Sequence, residues 1–515
     1  MGVWLILLGV VLALLFHRKV YQPIQYWKKR KVPCDVPVPF VGNLLQSLLK
    51  RKSMNQVMTD AYNKYSKHRY IGFHCFGTPT LFIRDVELAK QITIKDFDSF
   101  SDHRLFVPKG VDNLWDKLTF IRTGSDWQEH RRIVTPAFTL SKLKVMFPNL
   151  AKSTNRLIQS ILEHNKTVSG NIRPMVMKLA NDFTLDYFMG IECDSFKDPN
   201  NEFLRMARKT FSMPKIKGFL FFNAAYNSAV AKILGIKFFE TEGKLFYRKL
   251  IKDALEYRQK HNITRIDMLH LLHESLLENK KDVNNRKDSN ELTDEIVAQL
   301  MGMYFSNFDT FSITMCNFIY ELALQPEVQE KLIVEIDETW RSCDGKLTHD
   351  ILMQMKYLDM VYKECSRLRS NTTFVDRIVT KPYTIQPVLP HEKPLHLATG
   401  QDITIPLYCF MRDEKYFPNP LKFDPERFNE ENKAKVDQRA FLPFSSGPRK
   451  CIAARLISLE IRLMLFHFLL RFRFVPTEKT VIPFVESKRH NIMSSEYDYW
   501  IGLEPRQDVD QSYFH

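Results

Sequence analysis

Glycine is scarce in this chain: 17 residues in 515, against 39 phenylalanines, and no Gly/Ser-rich stretch or internal repeat interrupts it. That composition argues against flexibly linked independent units and against a solenoid, and it implies a core rich in aromatic surface. The formal charge of +15 arrives without any zinc-finger, RNA-recognition or helix-turn-helix pattern, so nucleic acid is not expected as a partner. Charge of either sign is missing from Met1 to Phe16.

That uncharged run, Val3 to Phe16, would span about 21 Å as a helix, short of a ~30 Å hydrocarbon core. Snorkelling of Arg18 and Lys19 and local thinning of the bilayer make up the difference. No small-x-small cleavage site precedes Lys28-Lys-Arg-Lys31, so residues 1–20 are expected to be a retained transmembrane signal-anchor, not a cleaved leader. Six Lys/Arg fall between residues 18 and 31 and none precede the apolar run. The positive-inside rule then places the body of the chain in the cytosol. There the eight cysteines stay reduced, and the sequons at Asn165, Asn262 and Asn371 stay unmodified. Pro33-Cys-Asp-Val-Pro37-Val-Pro39 reads as a stiff extended spacer, making residues 21–45 a basic, proline-rich hinge.

The densest chemical signal is Phe444-Ser-Ser-Gly-Pro-Arg-Lys-Cys-Ile-Ala-Ala-Arg455. A lone cysteine before a helix is commonly a buried structural thiol. Here its neighbours suit the presentation of a thiolate to a haem iron. Gly447 permits a tight backbone turn, Arg449 offers a guanidinium fork for a carboxylate such as a haem propionate, and Phe444 would wall the sulfur from water. A thiolate ligand favours O–O bond cleavage, where a histidine would favour oxygen carriage or peroxidase chemistry.

Phe444-x-x-Gly447-x-Arg449-x-Cys451 resembles the haem-ligand signature of the cytochrome P-450 family. Trp127-x-x-x-Arg131, Asp309-Thr310, Glu364-x-x-Arg367 and Pro425-Glu426-Arg427-Phe428 follow the same family's motifs in identity and order. The resemblance implies a mostly helical fold with a smaller strand-containing region, one catalytic domain over residues 46–515, haem b held by Cys451, and electrons from NADPH through a flavoprotein reductase. Cytochrome b5 is implied as a second donor, and the endoplasmic reticulum membrane as the location. The basic residues Lys450, Arg455 and Arg462 near the thiolate suit a docking face for an acidic redox partner.

Thr293 to Gln325 reads as one apolar helix about 50 Å long, with Thr293 as N-cap and Pro326 opening the next helix. Its polar interior, Ser306-Asn-Phe-Asp309-Thr310, would in a core helix bond back to the backbone. The resemblance instead makes Asp309 and Thr310 the acid-alcohol pair that relays protons to bound dioxygen in a water-poor pocket. Ser306 and Asn307 replace the usual small residue and glycine before that pair. Asn307 is expected either to bond water or a substrate oxygen or to crowd the oxygen groove.

Glu364 and Arg367 have the spacing of any helical ion pair. With Arg427 they match the family's buried network beneath the haem loop, whose role is folding and haem retention. Trp127, Arg131, Arg377 and Arg449 match the residues that contact the two haem propionates, and a buried haem needs that neutralisation. Further departures are Ser370-Asn371 for a proline pair, Met411 for a histidine and Ala453 for a glycine.

Strands are expected at Tyr70-Ile-Gly-Phe-His-Cys-Phe, at Pro79-Thr-Leu-Phe-Ile and around Tyr383-Thr-Ile. Phe106, Val107 and Leu114 would line a pocket roof, and residues 217–239 are apolar enough to dip into a membrane surface and admit lipophilic compounds. Asp376 to Pro387 with His391-Glu-Lys-Pro394 is similar to insect members that oxidise foreign compounds, the ninth family in particular. Two alternatives remain at this point: hydroxylation of an endogenous lipid or hormone, and a haem-thiolate protein that binds lipophiles and turns over poorly.

Overall fold

The computed structural model describes residues 2–105, 107, 109–164, 168–211, 235, 237–281, 289–489 and 493–507. Among the described residues helices dominate, and nine short strands form three small sheets. The largest sheet orders β1 (Tyr70–Cys75), β2 (Thr78–Ile83), β7 (Asp402–Ile405) and β4 (Val375–Ile378). Within it β2 runs parallel to β7, and the other pairs are antiparallel. A second sheet orders β3 (Val168–Asn171), β9 (Trp500–Pro505) and β8 (Phe472–Pro476), and β5 (Tyr383–Ile385) pairs with β6 (Leu395–Leu397). The three strands expected from β-branched and aromatic runs are thus present.

A helix of 35 residues, Ser289–Ala323, crosses the main core, a length of about 50 Å. It begins four residues earlier than the sequence suggested, so Thr293 lies inside it. The acidic pair behind Thr293 is spent on neighbours: Asp294 takes two bonds from Arg248, and Glu295 pairs with Lys117 and Arg122. Pro326 opens the following helix, Pro326–Ser342, as its missing N–H favours. The central helix packs along Arg173–Thr184, and it shares its apolar cluster with Ala454–Leu469, which follows Cys451. A separate cluster fills the space around the four-stranded sheet.

At the N-terminus one helical run extends from Gly2 to Lys29, passing through a π-helical stretch at His17–Tyr21. It is the one described helix long and apolar enough to cross a membrane. The stretch read as a stiff extended spacer, and the basic hinge segment before it, pack against the body. Trp27 is fully buried and its Nε1 donates to the Phe73 carbonyl at 3.1 Å, while Cys34 bridges Gly72. An aromatic ring with a satisfied N–H holds this segment more firmly than proline stiffness alone would.

Candidate active site

The Phe444–Arg455 loop folds back on itself, with the Cys451 N–H donating to the Phe444 carbonyl at 3.1 Å. Gly447 is required by both conformation and space. Its φ is +76°, and a Cβ there would lie 1.8 Å from the Thr93 carbonyl oxygen. Phe444 packs at the edge of the main core. Cys451 remains accessible although protein surrounds it: burial pushes its thiol up, while the Ala453 N–H and Arg131 pull it down. That arrangement leaves one accessible sulfur with a backbone donor beside it.

Four side chains matched to propionate contacts converge near this loop. Trp127 and Arg131 sit one turn apart on the helix Gly124–Val134. The Arg449 guanidinium carbon lies 3.9 Å from the Trp127 ring centroid, and Arg131 Nη2 donates to the Lys450 carbonyl at 3.0 Å. Arg377, on β4, is 0% exposed and uses Nη1 on the Asp376 carbonyl; its Nε and Nη2 have no partner. Arg449 binds the Ser101 and Arg122 carbonyls at 2.8 and 2.9 Å, and its Nη1 has no partner. Burial lowers Arg377 to about 10 and Arg449 to about 9. Two buried cations with unpaired N–H groups fit a dianionic group such as a haem with its propionates.

Sequence reasoning missed the carboxylates and the imidazole that support these cations. His103 Nδ1 lies 3.1 Å from Asp376 Oδ1, and the Arg104 N–H donates to Asp376 Oδ2 at 2.6 Å. Burial alone would raise the Asp376 carboxyl, but His103, the Arg104 N–H and Arg377 hold it at about 2. His103 is pushed down by burial, with Arg377 and Arg449 close by. Asp102 Oδ1 takes the Gly124 N–H at 2.9 Å and sits 3.5 Å from Arg449. Nothing in the local sequence marks these residues, because they reach the site from a loop and a strand far apart in the chain.

Beneath the loop, Arg367 donates twice to Glu364 at 2.8 Å, and Arg427 Nε donates to Glu364 Oε1 at 3.0 Å. All three are buried. Arg367 also binds the Met411 carbonyl at 2.8 Å, and Arg427 the Pro418 carbonyl at 2.8 Å. The network therefore fastens two loops to the helix Lys356–Leu368.

On the central helix, Thr310 Oγ1 donates to the Ser306 carbonyl and Asp309 Oδ1 accepts from Arg173 Nη2 at 3.0 Å. Asn307 is buried, and its Nδ2 donates to Thr184 Oγ1 at 3.1 Å on the neighbouring helix, while its Oδ1 has no partner among the described residues. Asn371, unassigned from sequence, donates to the Thr310 carbonyl at 3.2 Å and to Thr314 Oγ1. Val107 and Leu114 are buried, whereas Phe106 and most of residues 217–239 lie outside the described residues. A docking role for Arg462 is overturned: it is buried, bonded to Asp359 at 2.5 Å and placed over the Tyr362 ring. Lys450 and Arg455 are exposed.

Fold and site together define a haem-thiolate enzyme. The Cytochrome P450 family model matches residues 32–501, and the chain belongs to the cytochrome P450 family. It is 34% identical over 504 residues to Cytochrome P450 9e2 of Blattella germanica, covering 93% of this chain and 94% of that one. To Cytochrome P450 9b2 of Drosophila melanogaster it is 31% identical, covering 97% and 98%. To Cytochrome P450 6k1 of Blattella germanica it is 32% identical, covering 91% of each. Membership makes the chain a monooxygenase that carries haem b, draws electrons from NADPH through a reductase and acts on a lipophilic substrate.

Proposed function

We propose that the protein hydroxylates lipophilic foreign compounds such as plant toxins or insecticides, working from the cytosolic face of the endoplasmic reticulum on a single-pass anchor. The observation that supports the substrate class is a buried aromatic cluster beside the Ser306–Thr310 segment: Trp115 lies 4.1 Å from Phe238 between ring centroids, and Phe238 lies 4.7 Å from Phe305, the residue before Ser306. Apolar aromatic surroundings of this kind suit a lipophilic substrate.

In this reading Cys451 is the iron ligand, Phe444 and Gly447 shape its loop, and Trp127, Arg131, Arg377 and Arg449 hold the propionates. Bound haem supplies the activation of dioxygen. Asp309 is the acid and Thr310 the alcohol that deliver protons, with Arg173 and Asn371 holding the segment that bears them. The helix from Gly2 anchors the chain, residues 46–515 act as one catalytic domain, and cytochrome b5 serves as a second electron donor.

The test is the full chain in phospholipid vesicles with a NADPH-dependent reductase and a panel of plant toxins, insecticides, steroids and fatty acids. Product should match NADPH consumed for foreign compounds. Thr310→Ala should lower product at least tenfold while NADPH is still consumed. Turnover confined to steroids or fatty acids would replace the substrate assignment. Haem binding without turnover on any compound would support a binding protein.

A further inference from the structure

One face of the central helix Ser289–Ala323 stays accessible. From Met301 to Ala323 the residues not fully buried are Met303, Phe305, Ser306, Asp309, Thr310 and Thr314. Of these, Met303, Ser306, Thr310 and Thr314 follow one another at helical spacing and share a stripe. Two hydroxyls on the stripe bond back to the helix itself. Thr310 Oγ1 donates to the Ser306 carbonyl, and Thr314 Oγ1 donates to the Thr310 carbonyl at 2.6 Å. Back-bonding of this kind competes with the helical ladder and loosens it locally.

Asn371 reaches the same place from the loop after the helix Lys356–Leu368. Its Nδ2 donates to the Thr310 carbonyl at 3.2 Å and to Thr314 Oγ1. The amide is oriented by chemistry, because the Thr310 carbonyl has no proton to give and must meet the amide N–H groups. Thr314 therefore accepts from Asn371 while it donates to Thr310, and hydrogen bonds linked in this order strengthen one another. The loop itself is held without Asn371. Arg369 pairs with Glu321 further along the central helix and its guanidinium lies 3.9 Å from the Phe484 ring centroid, while Ser370 Oγ accepts the Thr372 N–H at 3.3 Å. Where the sequence departs from a proline pair, Ser370 closes a local turn and Asn371 supplies a side-chain donor that a proline ring lacks.

We propose that Asn371 is a positioning residue for the reaction: it fixes the turn Thr310–Thr314 and thereby keeps the Thr310 hydroxyl in place at the reacting centre. The bond to Ser306 sets the Thr310 side chain, and the bond from Asn371 sets the peptide that follows it. Without Asn371 that peptide is restrained by its own helix alone, and a threonine in a helix has two rotamers open to it. Asn371 acts through Thr310, so its role rests on the reading of Thr310 as the alcohol that delivers protons.

The experiment reduces the full-length holoprotein under carbon monoxide and records the C–O stretching band by infrared spectroscopy. That frequency responds to hydrogen-bond donors and dipoles beside the bound gas and needs no substrate. The proteins compared are the parent, Thr310→Ala, Asn371→Leu, the combination of the two, and Ser370→Ala as a control within the same loop. Each must keep a thiolate-type Soret band. Asn371→Leu should shift the infrared band in the same direction as Thr310→Ala and at least half as far, the combination should shift it no further than Thr310→Ala alone, and Ser370→Ala should leave it in place. If Asn371→Leu loses its haem, Thr314→Val breaks the same contact from the helix side and is held to the same criteria. A shift with Thr310→Ala and none with Asn371→Leu would overturn the inference and leave the Thr310 reading standing. Additive shifts in the combination, or an equal shift with Ser370→Ala, would also overturn it, since Asn371 would then not act through Thr310. No shift with Thr310→Ala would remove Thr310 from the reacting centre and the inference with it.

Discussion

The Arg449 guanidinium lies over the indole of Trp127, 3.9 Å from the ring centroid, and so ties the cysteine loop to the helix Gly124–Val134. The stack orients a fork whose Nη1 remains unpaired within the protein. Arg449→Lys keeps the charge and loses both the fork and the stack. Haem retained per protein, read by the pyridine haemochrome assay, should fall about tenfold, equivalent to roughly 1.4 kcal/mol. Unchanged retention would remove Arg449 from the haem contacts.

Gly447→Ala meets two obstacles, a left-handed backbone and the Thr93 carbonyl. Their sum should destabilise the fold by about 3 kcal/mol or more. Denaturant unfolding of the holoprotein measures it, and an effect below about 1 kcal/mol would mean that the loop can move away from Thr93.

Arg427→Ala leaves Glu364 with Arg367 as its guanidinium partner beside the Asp424 N–H, and removes the bond to the Pro418 carbonyl. Removing one partner of a buried ionic network typically costs about 3–5 kcal/mol. Unfolding midpoints and haem loss on heating should shift together, while the spectrum of protein that keeps its haem stays of the thiolate type. A changed spectrum would give Arg427 a direct part in the haem environment.

Glu295 joins the roof segment to the central helix through Lys117 and Arg122. Burial raises its carboxyl, but His130, Arg122 and Lys117 outweigh burial and hold it at about 2, below its ordinary 4.5. A carboxylate lowered on folding stabilises the protein above its unfolded pKa, and that stability is lost as pH falls from about 4.5 toward 2. At pH 7, Glu295→Gln should therefore be less stable than the parent by about 3 kcal/mol. The gap should close as pH falls through this window. A gap independent of pH would show that the carboxylate charge is not what matters.

How much could be read from residues alone differs between parts of the site. Cys451, Gly447 and Arg449 lie within five residues, so local chemistry suffices to single them out, and the Glu364–Arg367 spacing places that pair on one helical face. Strands β1, β2 and β5 were legible from their β-branched and aromatic runs. The partner of Asn307 was not: only the proximity of Thr184 shows that its amide N–H binds a neighbouring helix. Arg462 was misread for the same reason, since a basic residue near the thiolate looks like surface until Asp359 is seen to hold it.

Sequence by itself determined the kind of protein and singled out Cys451 and the uncharged N-terminal run, because each signal is written in contiguous residues whose side chains act locally. Tertiary structure decided which charges are paired. His103 with Asp376, Arg173 with Asp309, and Asn371 with Thr310 come together from segments 61 to 273 residues apart. Hydrogen bonds act over about 3 Å and carry no signature along the chain, so only the packed fold reveals them.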